Sequence, residues 1–190
     1  SSAASDVYKR QVYIQSGLWK FRLIPRSIRN GRYDMWLPAQ GALNFGTGFT
    51  SPDSASTFTI PSAAAKAVTV GAYDAGTGSA APFSGRGYIV EIGGSLMVKP
   101  ELAAPGVNVL VPSVSGMARV SGTSYATPFV TGSAALLMEW GIVRGNDAFL
   151  YGEKLKAYLI KGAEPLAGAA VPDTQTGWGR LCLKNSLPQA

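Results

Sequence analysis

From Val120 to Met138 the chain carries no charged side chain. A run like that belongs in a domain core or in a membrane. Ser121, Thr123, Ser124, Thr127, Thr131, Ser133 and Pro128 interrupt the apolar residues, so a membrane span fits poorly and a core helix fits well. A helix is therefore predicted over 123–140, apolar nearly all round and set in the middle of a domain. Such a helix needs other layers to cover it. A chain of 190 residues, 46% hydrophobic and 15% charged, has the material to build them.

The segments before that helix change style near residue 57. In 18–37, Trp19, Phe21 and Leu23 alternate with Lys20, Arg22 and Ile24 up to Asn30-Gly31, and a second alternation follows through Trp36. This pattern predicts a β-hairpin closed by a type I′ turn, with Pro25 marking an edge or a bulge. Residues 38–57, rich in Gly, Ser, Thr, Pro and Asn, read as a linker. Beyond them the strands are continuously apolar: 67–73 (AVTVGAY), and 103–112, which holds Val107, Val109, Leu110 and Val111. Unbroken apolar runs of this length suit buried, mostly parallel strands. Residues 82–88 (PFSGRGY) form a glycine-rich turn. An amphipathic helix is expected over 147–161, with Leu150, Leu155, Tyr158 and Leu159 inside and Glu153, Lys154, Lys156 and Lys161 outside. Asn146 or Asp147 would cap it and Gly162 would end it. Residues 1–11 (SSAASDVYKRQ) show no pattern and read as a non-native or disordered segment.

Composition removes several function classes. The chain has no histidine and one cysteine, Cys182, so an internal disulfide is excluded and a zinc or copper site has no ligand set. No cofactor motif is present. The net charge of +6 is concentrated in residues 1–36, which hold seven Lys/Arg (Lys9, Arg10, Lys20, Arg22, Arg26, Arg29, Arg32) against Asp6 and Asp34. Lys20 and Arg22 fall on the solvent side of the expected strand, and no nucleic-acid motif accompanies them, so neither nucleic acid nor a membrane is the expected partner.

The chemistry sits at the start of the long helix, in Gly122-Thr123-Ser124-Tyr125-Ala126. Backbone N–H groups at a helix N-terminus can hold a developing oxyanion, and a serine there is a candidate nucleophile. Serine needs a neighbouring base, and this chain supplies no imidazole. The plainer reading is that Ser121, Thr123 and Ser124 only cap a core helix.

Four segments tip the balance. Val68–Ala72 reads VTVGA, Phe83–Gly87 FSGRG, Lys99–Val109 KPELAAPGVNV, and Gly122–Gly132 GTSYATPFVTG. In this order they resemble the C-terminal half of subtilisin-like serine proteases, the subtilases. The likeness runs over about 57–183 and includes Gly177-Trp178-Gly179-Arg180-Leu181. It implies an α/β fold, the C-terminal half of a three-layer subtilisin-like domain with a mostly parallel sheet (57–190), preceded by the end of a β-rich insertion and a linker (12–56). Residues 17–38 are similar to the end of the jelly-roll insertion of clostridial Csp-type subtilases. The resemblance further implies Ser124 as nucleophile, Thr123 and Gly122 in support of the oxyanion, and Phe58, Thr59, Ile60, Pro61 and Tyr125 along the substrate. Glu101 stands where the family commonly has Asp, Phe129 where many members have a non-catalytic histidine, and Tyr125 where Met is frequent.

Chain order separates two hydrolase classes. An α/β-hydrolase places its histidine after the serine, and none follows Ser124. Subtilases run Asp, His, Ser, so a chain can hold the serine while both partners lie upstream. The expectation is a piece of an endopeptidase, inactive alone, whose partners are a peptide or protein substrate and the N-terminal half of its own catalytic domain. The parent would be secreted or spore-associated. Three alternatives stand beside it: a pseudoprotease or peptide-binding module that keeps the fold, a Ser–Lys dyad using Lys99, and a small mixed domain with no chemistry.

Overall fold

The computed structural model describes residues 16–31, 33–38 and 42–188. The 1–11 segment and Arg32 of the expected hairpin lie outside them. The chain divides into two compact units after Leu37.

The first unit contains no strand among its described residues. Neither Asn30 nor Gly31 adopts the positive φ a type I′ turn requires. Trp19 (58%), Phe21 (74%) and Leu23 (61%) are exposed, so the alternation buries nothing. An isolated two-stranded hairpin is marginal in water, and no apolar face compensates here.

The second unit is α/β. Its central sheet has the order β2-β1-β5, with β1 Val70–Asp74, β2 Ser79–Ala80 and β5 Leu102–Pro105. β1 and β5 run parallel with Val70 opposite Leu102, and β2 is antiparallel to β1. The other edge of β5 is taken by 178–181, through Ala103 N–H to the Gly179 carbonyl (2.8 Å) and Leu181 N–H to the Ala103 carbonyl (2.8 Å). Two antiparallel hairpins complete the strands: β3 Tyr88–Ile92 with β4 Ser95–Lys99, and β6 Val109–Ser113 with β7 Gly116–Val120. The sheet is thus mixed: β1–β5 and the Ala103–Arg180 bridge are parallel, and β2 is antiparallel to β1. The strand expected over 103–112 is broken into β5 and β6, because the chain turns at Gly106 and at Asn108, which has φ 52.

Helix α1 spans Thr123–Met138 and continues as a π-helical turn over Glu139–Val143. It lies on β1 and β5 through Ala126, Val130, Ser133 and Leu137, one stripe at helical spacing. Val70, Ala72, Leu102 and Ala104 meet it from the sheet, and Tyr73 and Ala103 point to the other face, where Leu166 and Ala169 cover them. The expected all-round burial of this helix is not met. The neighbouring stripe, Tyr125, Phe129, Gly132 and Leu136, is exposed, since β1 and β5 reach only one side. Helix α2 is shorter than expected, Gly152–Gly162, with Tyr151 at its N-cap position and no side-chain cap. Asp147 instead organises the turn ahead of it, accepting from Phe149 N–H (3.3 Å) and Lys154 Nζ (2.7 Å). Short helix α3 is Leu183–Ser186, and both α2 and α3 pack on α1.

One buried ionic cluster ties these layers together. Glu101 pairs with Lys99 (2.7 Å) and Lys156 (2.6 Å), and its other oxygen accepts the Thr69 N–H (2.7 Å). Lys99 also donates to the Ala67 carbonyl (2.6 Å) and Thr69 Oγ1 (3.2 Å), and Lys156 to the Ala65 carbonyl (2.8 Å). Lys156 therefore reaches inward from α2, not outward as its helical position suggests. Every donor in the cluster has a partner, which is what makes a buried charge tolerable.

Candidate active site

The C-terminal ends of β1 and β5 are where α1 begins. Gly106, leaving β5, donates to the Tyr73 carbonyl at 3.0 Å, and Gly122 donates to the Gly106 carbonyl at 2.8 Å. A Cβ on Gly106 would lie 2.6 Å from that of Ala72 and 3.4 Å from that of Ala126, so only glycine lets strand and helix approach this closely. Crevices at the carboxyl ends of parallel strands are the usual ligand sites of α/β sheets.

Gly122 is the N-cap residue, at φ 154 and ψ 156, a conformation reserved almost wholly for glycine. Thr123 and Ser124 are the first two helical residues, so their N–H groups have no carbonyl one turn back. Ser124 is exposed, and its hydroxyl makes no hydrogen bond among the described residues. Pro128, inside the helix, has no N–H to give to the Ser124 carbonyl, which is one bond more than a proline in the first turn would cost. Thr127 Oγ1 donates to the Thr123 carbonyl at 3.0 Å, adding a local tie at the same turn. An exposed hydroxyl beside unpaired N–H groups and a helix dipole can attack a carbonyl and hold the resulting oxyanion, given a base.

The other expected residues separate into two groups. Tyr125 is beside Ser124, 37% exposed, with its ring edge 3.4 Å from where a Gly122 Cβ would sit. Phe58, Thr59, Ile60 and Pro61 belong to a segment with anchors of its own. Thr57 N–H donates to the Arg86 carbonyl (2.8 Å) and Arg86 N–H to Thr57 Oγ1 (2.8 Å), and the Phe58 ring lies against Gly85 and Gly87. Thr69 Oγ1 donates to the Ser62 carbonyl at 2.5 Å, and Tyr88 Oη to the Ala63 carbonyl at 3.2 Å. These anchors tie the segment to Thr69, just before β1, and to the 85–88 turn. Ile60 itself is 92% exposed. Gly106 is the site residue that the motifs alone do not single out; its signal is the Pro105-Gly106 pair, a turn former inside an apolar run.

Lys99 is no base for Ser124. Its ammonium is fully buried and committed to Glu101, Ala67 and Thr69. Among the described residues, no group of three or more His, Cys, Asp or Glu is placed to hold a metal ion.

The likeness seen in the motifs extends to whole proteins. The Subtilase family profile matches residues 22–179. The Clostridium perfringens CspB protease is 44% identical, with a TM-score of 0.68 over 76% of this chain and 30% of that one. The prenylagaramide maturation protease PagA is 28% identical, with a TM-score of 0.56 over 70% of this chain and 46% of that one. The PII-type proteinase of Lactococcus lactis subsp. cremoris is 38% identical over 67 residues, 35% of this chain and 4% of the proteinase. The chain thus spans less than half the length of each of these relatives. With the profile covering most of its length, it belongs to the subtilase family of serine peptidases.

Proposed function

We propose that this chain carries the nucleophile of a subtilisin-like endopeptidase, and that the nucleophile is Ser124. The observation that carries the reading is the exposed, unbonded hydroxyl on the second residue of α1, at the carboxyl ends of two parallel strands. Ser124 Oγ attacks the peptide carbonyl carbon and passes its proton to an imidazole. The oxyanion is held by the Ser124 N–H. The C–N bond then breaks as the imidazole returns the proton to the leaving amine, and water hydrolyses the acyl-serine by the same steps in reverse order.

The 190 residues contain no histidine, so the imidazole comes from outside them, together with its orienting Asp and a second oxyanion donor, an Asn. The exposed stripe of Tyr125, Phe129 and Leu136 on α1 is the face on which that part of the catalytic domain packs. Tyr125, directly after Ser124, is the end of that stripe that borders the substrate. On its own the chain has no turnover, since in subtilisin removal of Ser or His alone lowers kcat by about 10⁶-fold.

The test is covalent labelling. A fluorophosphonate probe is applied to residues 12–190 and to the complete translation product that contains them. Labelling of the complete product, abolished by Ser124→Ala, with none on residues 12–190, is the expected pattern. Strong labelling of residues 12–190 would mean a base within the chain. A complete product that bears Asp and His yet resists the probe would favour a pseudoprotease.

A further inference from the structure

The turn that presents Ser124 is fastened by a second set of contacts which the proposed chemistry does not use. The β6–β7 hairpin leaves and returns at the same place, with Val109 opposite Val120. Just outside that pair, Asn108 N–H donates to Ser121 Oγ at 2.9 Å, and Arg119 Nη1 donates to the Asn108 carbonyl at 3.1 Å. Asn108 is thus gripped at both its backbone groups by side chains from the strand that runs into Gly122. It sits at φ 52, in the left-handed region that Asn tolerates better than most residues. Two residues earlier, the Gly106 carbonyl takes the Gly122 N–H at 2.8 Å.

We infer that Ser121 and Arg119 are positioning residues for the nucleophile: they clamp Asn108, fix the 106–108 turn against 121–122, and so set the direction in which Ser124 leaves the helix start. The inference rests on the reading of Ser124 as nucleophile. The physical argument is one of freedom. Gly122 occupies a region of φ,ψ space in which glycine has many alternatives, so a single backbone bond to Gly106 leaves it a hinge. The Ser121 and Arg119 contacts make the approach to that hinge two-sided. A clamp of two exposed hydrogen bonds adds little to global stability. Its effect falls on aim, where an error of about 1 Å can cost about 10²-fold in rate.

The experiment uses the complete translation product and its Ser121→Ala, Ser121→Thr and Arg119→Gln variants. Fluorophosphonate inactivation is separated into the maximal rate and the probe concentration at half-maximal rate, and thermal unfolding and amide exchange at Gly122 are followed alongside. Ser121→Ala should lower the maximal rate about tenfold, leave the half-saturating concentration and the melting temperature unchanged, and speed exchange at Gly122. Ser121→Thr, which keeps the hydroxyl, should recover the rate, and Arg119→Gln should give a smaller loss of the same kind. An unchanged maximal rate in Ser121→Ala, or a loss that Ser121→Thr does not recover, overturns the positioning role. If the unaltered protein resists the probe, it is the nucleophile reading that has failed, and the positioning role falls with it.

Discussion

Residues 18–37 and 88–99 each place apolar runs on both sides of a two-residue turn, Asn30-Gly31 in the first and Gly93-Gly94 in the second. In the second, both glycines take positive φ (59 and 76) and β3 pairs with β4 in full register from Tyr88–Lys99 to Ile92–Ser95. In the first, no ladder forms among the described residues. The turns are of similar quality, so the difference lies in what happens to the strands beyond them. β4 ends in Val98 and Lys99, 4% and 0% exposed, and Lys99 locks into the Glu101 cluster. Tyr88, paired with Lys99 at the same end of the hairpin, reaches Ala63. The 18–37 segment buries none of its large apolar side chains. A turn proposes a hairpin, but a buried strand end holds it in place.

If that is right, cutting the anchor should matter most. Glu101→Ala leaves Lys99 buried without its carboxylate and should destabilise the second unit by about 3–5 kcal/mol. Chemical denaturation would measure the loss, and amide exchange would locate it in β1, β4 and β5. Exchange in 16–38 should be unaltered. A fully stable Glu101→Ala protein would break the comparison, because the anchor would then be ornamental.

The turn itself is the next test, with a smaller effect. Gly93→Ala and Gly94→Ala each force a Cβ into the left-handed region, and each should cost about 1–2 kcal/mol. Gly31→Ala should cost close to nothing, since Gly31 is not at positive φ and has open space around it. A measurable loss at Gly31 would show that a type I′ hairpin does form there.

The same contrast explains what could be read from the residues. The α/β character, the long helix and Ser124 at its start were legible, because glycine, short polar residues and a charge-free run all pointed one way. The β3–β4 hairpin was overlooked although Gly93-Gly94 is a strong turn signal; its flanks, YIVEI and SLMVK, do not alternate cleanly. The break between β5 and β6 is signalled by Pro105-Gly106 and Asn108, turn formers that the apolar residues on both sides of them outweigh. Lys156 reached inward to a carboxylate distant in sequence, and helical spacing alone does not reveal a buried counter-ion. The 57–61 segment was tied through Thr69, just before β1, and through Arg86 and Tyr88, contacts that no local pattern encodes.

The smallest expected effect is that of acid. Asp147 is held below the ordinary carboxylate range by its bond from Lys154, with the Phe149 N–H and Tyr158 adding to it against some loss of hydration. Glu164 is lowered chiefly by Arg180, at 2.8 Å, and next by Cys182. Both carboxylates are more acidic folded than unfolded. Their contribution is therefore fully present above the unfolded value of about 4 and is lost as the pH falls through the lower folded values. Lys154 and Arg180 are exposed and Asp147 and Glu164 part-covered, so both pairs are screened, the effect is small and it should shrink further in high salt. Unfolding curves between about pH 6 and pH 3 should show the second unit losing stability at the acid end. Asp147→Asn and Glu164→Gln should each flatten that slope and leave the neutral-pH stability slightly reduced. Both pairs lie in the unit that has a core, so amide exchange in 16–38 should not follow the same titration. An acid transition shared by the two regions would mean that 16–38 is coupled to the core, and the contrast between an anchored and an unanchored hairpin would have to be redrawn.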